Sequence, residues 1–518
     1  MGWNTWNHFG CNFDEALIRD MADAMVNSGM RDAGYEYVII DDCWQIARGA
    51  DGEIVADPGR FPSGIEALAD YVHERGLKLG IYTDAGLYTC QGRPGSYGHE
   101  QQDANTYAAW GVDYVKVDWC YAEELDPRSQ YALWRDILCA VDRPMVFSIC
   151  NWGLDAPWSW GPGTGHLWRT TYDIEDRWGS ILEIADFNVH LAAYAGPGGW
   201  NDPDMLEVGN GGMTNAEYRA HMSLWAIMAA PLIAGNDLRA MSPATRDLLT
   251  NQEVIAVDQD RAGIQGTRVH DAGLQEVWVK PLAEAGTRAV VLLNRALVAA
   301  DIAVSWQQIG LAAGAVSVRD LWTQADLGTM VDGYVASVPP HNAIMLLVSG
   351  AEPAPPAPDT WYLSDLPWAY ALNGLGPVER DASNGGEGAG DGTAITLDGV
   401  PYAKGLGTHA ASRVCYHLGG RCHRLLSWVG LDDEAADRGS VTFQVWADGV
   451  QLYDSGVVTG RAQARQVTVN VAGTQELTLL VTDAGDDNVQ DLADWADARL
   501  LCLALATTIY LPVLQLGE

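Results

Sequence analysis

Tyr114-Val-Lys-Val-Asp-Trp-Cys120 reads as a short buried strand that delivers two charged side chains to one place. Residues alternate faces along a strand, so Lys116 and Asp118 point one way and Val115 and Val117 the other. A lysine and an aspartate facing inward from an apolar strand are costly to bury without a task. The ammonium two residues away is expected to keep Asp118 ionised, as a nucleophile must be. A structural ion pair at a strand end is the plainer alternative.

Working outward from this strand, the same pattern recurs. Short β-rich runs begin at Gly2-Trp-Asn-Thr-Trp6, Tyr37-Val-Ile-Ile-Asp-Asp-Cys43 and Leu79-Gly-Ile-Tyr-Thr-Asp84. After Tyr114–Cys120 they continue at Met145–Asn151, Leu167–Asp173, Gly199–Asp204 and Pro231–Asp237. Helical stripes lie between them, such as Leu17, Ile18, Met21, Met25 and Val26 before Gly29, and Ile65, Leu68, Tyr71 and Val72 before Gly76. Eight strand–helix units over residues 1–262 predict a (β/α)8 TIM barrel. Most runs end in Asp, Asn or Cys, at the end where such barrels build active sites.

From 263 to 350 the pattern becomes alternating strands without helices, predicting an antiparallel β-sandwich. Residues 351–358, Ala-Glu-Pro-Ala-Pro-Pro-Ala-Pro, read as a semi-rigid linker. A second all-β domain is expected over 359–505, with a tail at 506–518.

The 518 residues are too many for one core. No run of 18 or more apolar residues occurs, which argues against a membrane span. A net charge of −37 without clustered Lys/Arg argues against nucleic acid. Trp (21) and Tyr (20) far outnumber Phe (6), and aromatics with a polar handle suit sugar rings. Nine cysteines leave at least one unpaired, form no C-x-x-C zinc pattern, and point to disulfides in a secreted or extracytoplasmic protein. No signal peptide is present, and Met1 abuts the first motif, as after removal of a leader or truncation.

A nucleophilic Asp118 calls for a second acid. Arg169-Thr-Thr-Tyr-Asp173 supplies it, because Arg169, Thr171 and Asp173 share a strand face. Asp173 near an ionised Asp118 is expected to have a raised pKa, which suits a general acid that later acts as base. Two carboxylates at barrel strand ends are the minimum equipment of a retaining glycosidase. A strand-end carboxylate capping the next helix is the bland alternative.

Trp3, Asp41-Asp42-Cys43-Trp44, Leu77–Asp84, Lys116-Val-Asp118, Trp168-Arg169, Asp173 and Gly198-Gly-Trp-Asn-Asp-Pro-Asp-Met-Leu206 follow one another as in glycoside hydrolase family 27. Over residues 1–350 the chain resembles the α-galactosidases and α-N-acetylgalactosaminidases of that family. The resemblance implies Asp118 as nucleophile and Asp173 as acid/base. It implies Trp3, Asp41, Asp42, Tyr82, Lys116 and Arg169 as the galactose-binding set, with Trp3 offering the sugar an apolar face. Asn151 and Trp152 fall near the sugar's 2-position, where Asn151 suits a hydroxyl better than an acetamide. Asp202 joins the set, although with Asp204 it is expected chiefly to support the barrel rim. The resemblance also implies disulfides Cys11–Cys43 and Cys90–Cys120, the second beside the sugar pocket, so that Cys90 and Cys120 count among the substrate-binding residues. Cys415 and Cys422 are expected to bridge neighbouring strands, and Cys139, Cys150 and Cys502 to be buried thiols.

Tyr402–Ala410, Val429–Glu434, Val445–Val450 and Asp494–Arg499 resemble the NPCBM domain, carbohydrate-binding module family 51. That implies a sandwich that holds the enzyme near galactose-bearing glycans. Asp432, Asp433, Asp486 and Asp487 are the candidate holders of a structural calcium, against an acidic solvated loop; no cofactor is otherwise expected. The expected activity is retaining hydrolysis of terminal α-galactose from oligo- or polysaccharides. The rivals are an α-N-acetylgalactosaminidase, a β-L-arabinopyranosidase and a catalytically silent glycan-binding protein.

Overall fold

The computed structural model describes residues 1–353 and 359–503, apart from 387, 437, 461, 487 and 488. The expected linker core (354–358) and the tail (506–518) lie outside the described residues. Eight parallel strands form one curled sheet: β1 (Gly2–Asn4), β2 (Tyr37–Ile40), β3 (Lys78–Asp84), β4 (Tyr114–Asp118), β5 (Val146–Cys150), β6 (Leu167–Arg169), β7 (Trp200–Asp202) and β8 (Ile233–Ala234). They are paired in sequence order, and β8 returns to β1. Leu206 spans the last gap: its N–H donates to Ile233 O (2.7 Å) and its carbonyl accepts from Gly235 N (3.1 Å).

The helices follow their apolar stripes. α1 (Glu15–Asn27) is capped by Asp14, whose side chain accepts from Leu17 N, and it buries Ile18, Met21, Ala22 and Met25. α2 (Gly64–His73) buries Ile65, Leu68, Ala69 and Val72. α3 (Glu100–Ala109), α4 (Pro127–Ala140), α5 (Trp178–Asn188) and α6 (Asn215–Ile227) follow. Gly76, at φ +69°, ends the α2 segment in the left-handed region that other residues resist.

Strand parity separates two cores. Val38, Ile40, Val115 and Val117 point outward into the large core between sheet and helices. Ile39, Tyr114, Leu167 and Ile233 point inward, one from each of β2, β4, β6 and β8. Four side chains from alternate strands make one layer of a barrel interior. Burying each is worth about 1.5–3 kcal/mol, so this apolar layer is a firm floor. A Cβ on Gly80 would come within 2.7 Å of Ile39 and 3.1 Å of Tyr114, which is why the floor takes a glycine from β3. Two residues further along the even strands stand Asp41, Lys116 and Arg169. The charged groups therefore sit on the apolar floor at the C-terminal end of the barrel.

The sandwich has a six-stranded antiparallel sheet facing a two-stranded one, Ala300–Ser305 with Gly333–Val338. Val277, Val290, Leu292, Leu346 and Val348 pack inward on Ile302, Val304 and Val338. The other face of the large sheet, Trp278, Val291, Leu293 and Met345, joins the barrel's own core. A strand buried on both faces must be apolar throughout, as Ala289-Val-Val-Leu-Leu293 is.

Residues 359–503 belong to a second compact unit. It is built from two antiparallel sheets, one centred on Leu492–Cys502 between Gly405–His409 and Cys422–Leu431, the other on Glu476–Thr482 between Ser412–His417 and Ser440–Ala447. Leu425, Val429, Phe443, Val445, Leu479 and Trp495 fill the space between them.

The disulfide expectation for this unit is corrected. Cys422 bonds to Cys502, which faces it across an antiparallel register, and Cys502 is not a free thiol. Cys415 belongs to the other sheet and lies against the Thr478 hydroxyl at 3.3 Å. Cys139 is exposed, whereas Cys150 is a buried free thiol. Cys11–Cys43 and Cys90–Cys120 are both bonded.

Candidate active site

A pocket opens at the C-terminal end of the barrel. Asp41, Asp42, Tyr82, Cys90, Lys116 and Asp118 line one side of it, and Trp152, Arg169 and Asp173 the other. Trp6, Asp204 and Met205 complete it. β2 presents Asp41, whose Oδ2 accepts from Lys116 Nζ (2.9 Å) and Asn4 Nδ2 (2.8 Å). Asp42 accepts from Cys43 N (2.6 Å) and Gln91 N (2.9 Å), which fixes both its oxygens. Its pKa is raised by burial, with Asp41 adding to the effect.

Lys116 and Asp118 share the inward face of β4, as the alternation requires. Lys116 Nζ lies 5.3 Å from the centroid of the Tyr82 ring, and Tyr82 OH donates to Cys90 Sγ (3.6 Å). Asp118 is 6 % exposed and accepts from Trp119 N (2.9 Å). Its other oxygen is 3.6 Å from Cys90 Sγ. Burial pushes Asp118 up to about 6, against the pull of Lys116 and with a push from Asp173 and Asp41. Beside it on β3, burial and Asp118 drive Asp84 well up while Gly86 N and Cys120 N donate to it.

β6 ends at Arg169, so Thr170–Asp173 is a loop and not the strand the sequence predicted. Arg169 is 3 % exposed, and its Nη2 lies 2.9 Å from Asp173 Oδ1 and 2.9 Å from Asp204 Oδ2. Asp173 stands at the mouth with its side chain 63 % exposed. Burial raises its pKa, but Arg169 and Lys116 outweigh that and leave it below the usual carboxylate value. The expected order is thus reversed in the free protein: Asp118 holds a proton more tightly than Asp173. The cause is the loop ion pair with Arg169, which strand parity does not reveal.

Four expected sugar contacts, Trp3, Cys120, Asn151 and Asp202, do not line the pocket. Trp3 is fully buried, with Nε1 donating to Asn236 O (2.7 Å), because parity on β1 turns Gly2 and Asn4 inward and Trp3 toward the helices. Trp6, two residues beyond β1 at the start of a short helix, takes the place at the pocket wall. Asn151 is fully buried and its amide donates to Leu154 O in its own loop. Asp202 accepts from Asp204 N (2.9 Å) behind the wall, and burial raises it to about 6. Cys120 also stands behind the wall, bonded to Cys90. Applying the period of two to β1 would have rejected Trp3; Trp6 and Met205 lie beyond strand ends, where no period applies.

The candidate calcium carboxylates are engaged in loop hydrogen bonds. Asp432 accepts from Thr396 N and Glu434 N (both 2.9 Å), Asp433 from Gly399 N (2.9 Å), and Asp486 from the Ser440 hydroxyl. Asp487 lies outside the described residues. Among the described residues, the group of acids and cysteines close enough to hold an ion is Asp84, Cys90, Asp118 and Cys120, two of which form a disulfide.

Residues 1–260 match the family model of alpha galactosidase A, 272–348 that of the alpha galactosidase C-terminal beta sandwich domain, and 359–501 that of the NPCBM/NEW2 domain. Alpha-galactosidase A of Cellvibrio japonicus is 52 % identical over 371 residues, covering 67 % of this chain and 91 % of that protein. The crystal structure of alpha-galactosidase I from Mortierella vinacea is 39 % identical with a TM-score of 0.66, covering 68 % of this chain and 97 % of that one. The alpha-galactosidase of Saccharomyces cerevisiae, solved with raffinose, is 29 % identical with a TM-score of 0.63, covering 67 % and 96 %.

Proposed function

Because the chain belongs to glycoside hydrolase family 27, the alpha galactosidase A family, we propose that it removes terminal α-linked galactose from oligo- and polysaccharides by double displacement. One observation carries this reading: Asp118 is buried on the barrel floor beside Lys116, while Asp173 is held at the mouth by Arg169. The two roles need two carboxylates at one pocket, one to reach the anomeric carbon and one the leaving oxygen, and both line it.

Asp118 attacks the anomeric carbon, and a C–O bond forms as the bond to the leaving oxygen breaks. Asp173 gives its proton to that oxygen. Water then attacks the same carbon, passes its proton to Asp173 and releases Asp118. Asp41 and Asp42 are positioned to accept from neighbouring sugar hydroxyls, Lys116 to donate, and Trp6 and Trp152 to cover the ring. The family's chemistry uses no cofactor.

The first step needs Asp118 ionised and Asp173 protonated. With Asp118 near 6 and Asp173 below the usual carboxylate value, that form is a minority whose population peaks between the two values. The kcat/KM profile is therefore expected to be a bell that falls as pH rises through about 6 and falls again at low pH. A flat profile from pH 4 to 9 would count against the assignment.

Three disulfides support a protein that folds outside the cytoplasm, and no helix among the described residues is long and apolar enough to cross a membrane. The NPCBM match supports a tethering role on galactose-bearing glycans. The test compares p-nitrophenyl α-D-galactopyranoside with its 2-acetamido and β-L-arabinopyranoside counterparts. Preference for the galactoside is expected; preference for either counterpart would move the chain to another activity of the same family, and no turnover of any would favour binding alone.

A further inference from the structure

We propose that Tyr172 is a positioning residue for the acid/base: its ring, stacked on Trp152, fastens the loop that carries Asp173 to the wall that faces the sugar. The proposal deepens the α-galactosidase reading and rests on it.

Tyr172 precedes Asp173 in the loop after β6 and is 67 % exposed. So exposed a side chain gains little from burial, and what its ring touches matters more. Its centroid lies 6.2 Å from that of Trp152, with the ring planes 24° apart, a stacked pair. Trp152, in the loop after β5, lines the catalytic pocket. Its backbone is at φ +55°, in the left-handed region that an aromatic residue enters only when its surroundings impose it. Gly153 follows, and a Cβ there would meet Thr170 O at 2.2 Å. The two loops therefore press together, backbone to backbone at Gly153 and Thr170 and ring to ring at Trp152 and Tyr172.

The chemistry gives the ring contact a task. Arg169 Nη2 donates to Thr171 O (3.2 Å) and to Asp173 Oδ1 (2.9 Å), on either side of Tyr172. The same nitrogen lies 2.9 Å from Asp204 Oδ2, so its hold on Asp173 is shared. That hold is an ion pair only while Asp173 is ionised. The first step needs Asp173 protonated, and a neutral carboxyl gives up the charge that tied it to the guanidinium. The stack of Tyr172 on Trp152 carries no charge and survives that proton. It keeps the loop in place in the form that reacts. Galactose seated against Trp152 steadies the indole from the pocket side, so a filled pocket holds its acid more firmly than an empty one.

The test measures kcat of Tyr172→Ala and Tyr172→Phe on melibiose and on p-nitrophenyl α-D-galactopyranoside. The sugar oxygen that leaves from melibiose must be protonated, whereas p-nitrophenol leaves with little help. Tyr172→Ala is expected to lower kcat on melibiose about three- to tenfold, the weight of an aromatic pair, and on the p-nitrophenyl substrate by less than about twofold. Tyr172→Phe keeps the stack and is expected to keep both rates. In a Trp152→Ala background, itself slower, Tyr172→Ala is expected to add nothing on melibiose, because the partner ring is already gone. Equal losses on the two substrates, the same loss in Tyr172→Phe, or a full further loss in the Trp152→Ala background would overturn the proposal. If the native chain hydrolyses neither substrate, the α-galactosidase reading fails separately. There, or where melibiose alone is refused, the fastening is judged by amide hydrogen exchange over residues 170–174 at a pH low enough to protonate Asp173. Faster exchange in Tyr172→Ala than in the native chain and Tyr172→Phe supports it; equal exchange in all three overturns it.

Discussion

The mouth of the barrel and the C-terminal β unit both bury carboxylates, but they do so to different ends. In the barrel, Asp41, Asp118 and Asp204 are buried with Lys116 and Arg169 among them, and all five line one pocket. In the C-terminal unit, Asp432 and Asp494 are buried side by side, joined by a side-chain hydrogen bond between the two carboxyls. Eight strands converging on one axis turn their inward side chains toward a common point. Two sheets facing each other turn inward side chains into a dry core and send the rest apart. Convergence gathers buried charge on one pocket in the first region; in the second, the buried acids meet each other, and Asp494 answers by holding its proton.

Substitutions put this contrast to the test. The largest effect is expected from Asp118→Asn, a loss on the order of 10⁴-fold or more in kcat on p-nitrophenyl α-D-galactopyranoside, with the melting temperature held. A loss under tenfold would remove Asp118 from the chemistry. Asp173→Ala is expected to cost about 10²- to 10⁴-fold on melibiose, the usual weight of general acid–base catalysis. The loss should be smaller on the p-nitrophenyl substrate, whose leaving group needs little protonation; equal losses on both would contradict an acid role.

The next effects fall on stability. Replacing Cys422 and Cys502 with serine opens a link across 80 residues, worth about 4 kcal/mol by the chain-entropy argument. Calorimetry should show the C-terminal unit melting earlier while turnover of the small galactoside holds; a parallel loss of turnover would join the two regions. The smallest effect is expected from Asp494→Asn. Burial and Asp432 raise the Asp494 pKa well above 3.8, so the folded unit binds a proton that the unfolded chain does not. Stability then falls as pH rises above 3.8 until the folded group itself ionises. The asparagine variant should lack that slope and keep kcat/KM within about twofold, an exposed-site-sized change.

The same contrast explains what the sequence revealed. Lys116 and Asp118 were legible because period-two alternation and strand order are enough to bring them to one axis. Trp3 is not a sugar contact because the parity of β1 sends it outward and leaves Trp6 at the wall, which the motif alone does not reveal. The protonation order of Asp118 and Asp173 was hidden because it depends on a loop contact, Arg169 to Asp173, that no period encodes. The bridge from Cys422 was assigned to a near neighbour, Cys415, yet antiparallel register put Cys502 opposite it. In the C-terminal unit the family was legible and the sugar-touching side chains were not, because a sandwich has no common axis to aim them at.

The most direct test of the central claim is to trap the covalent intermediate. The native chain is incubated with 5-fluoro-α-D-galactopyranosyl fluoride, digested, and searched by mass spectrometry for the labelled peptide. The account predicts one fluorogalactosyl group on Asp118, together with α-galactose as the first product from the ordinary substrate. Label on a different residue, or β-galactose as the first product with no label, would contradict it.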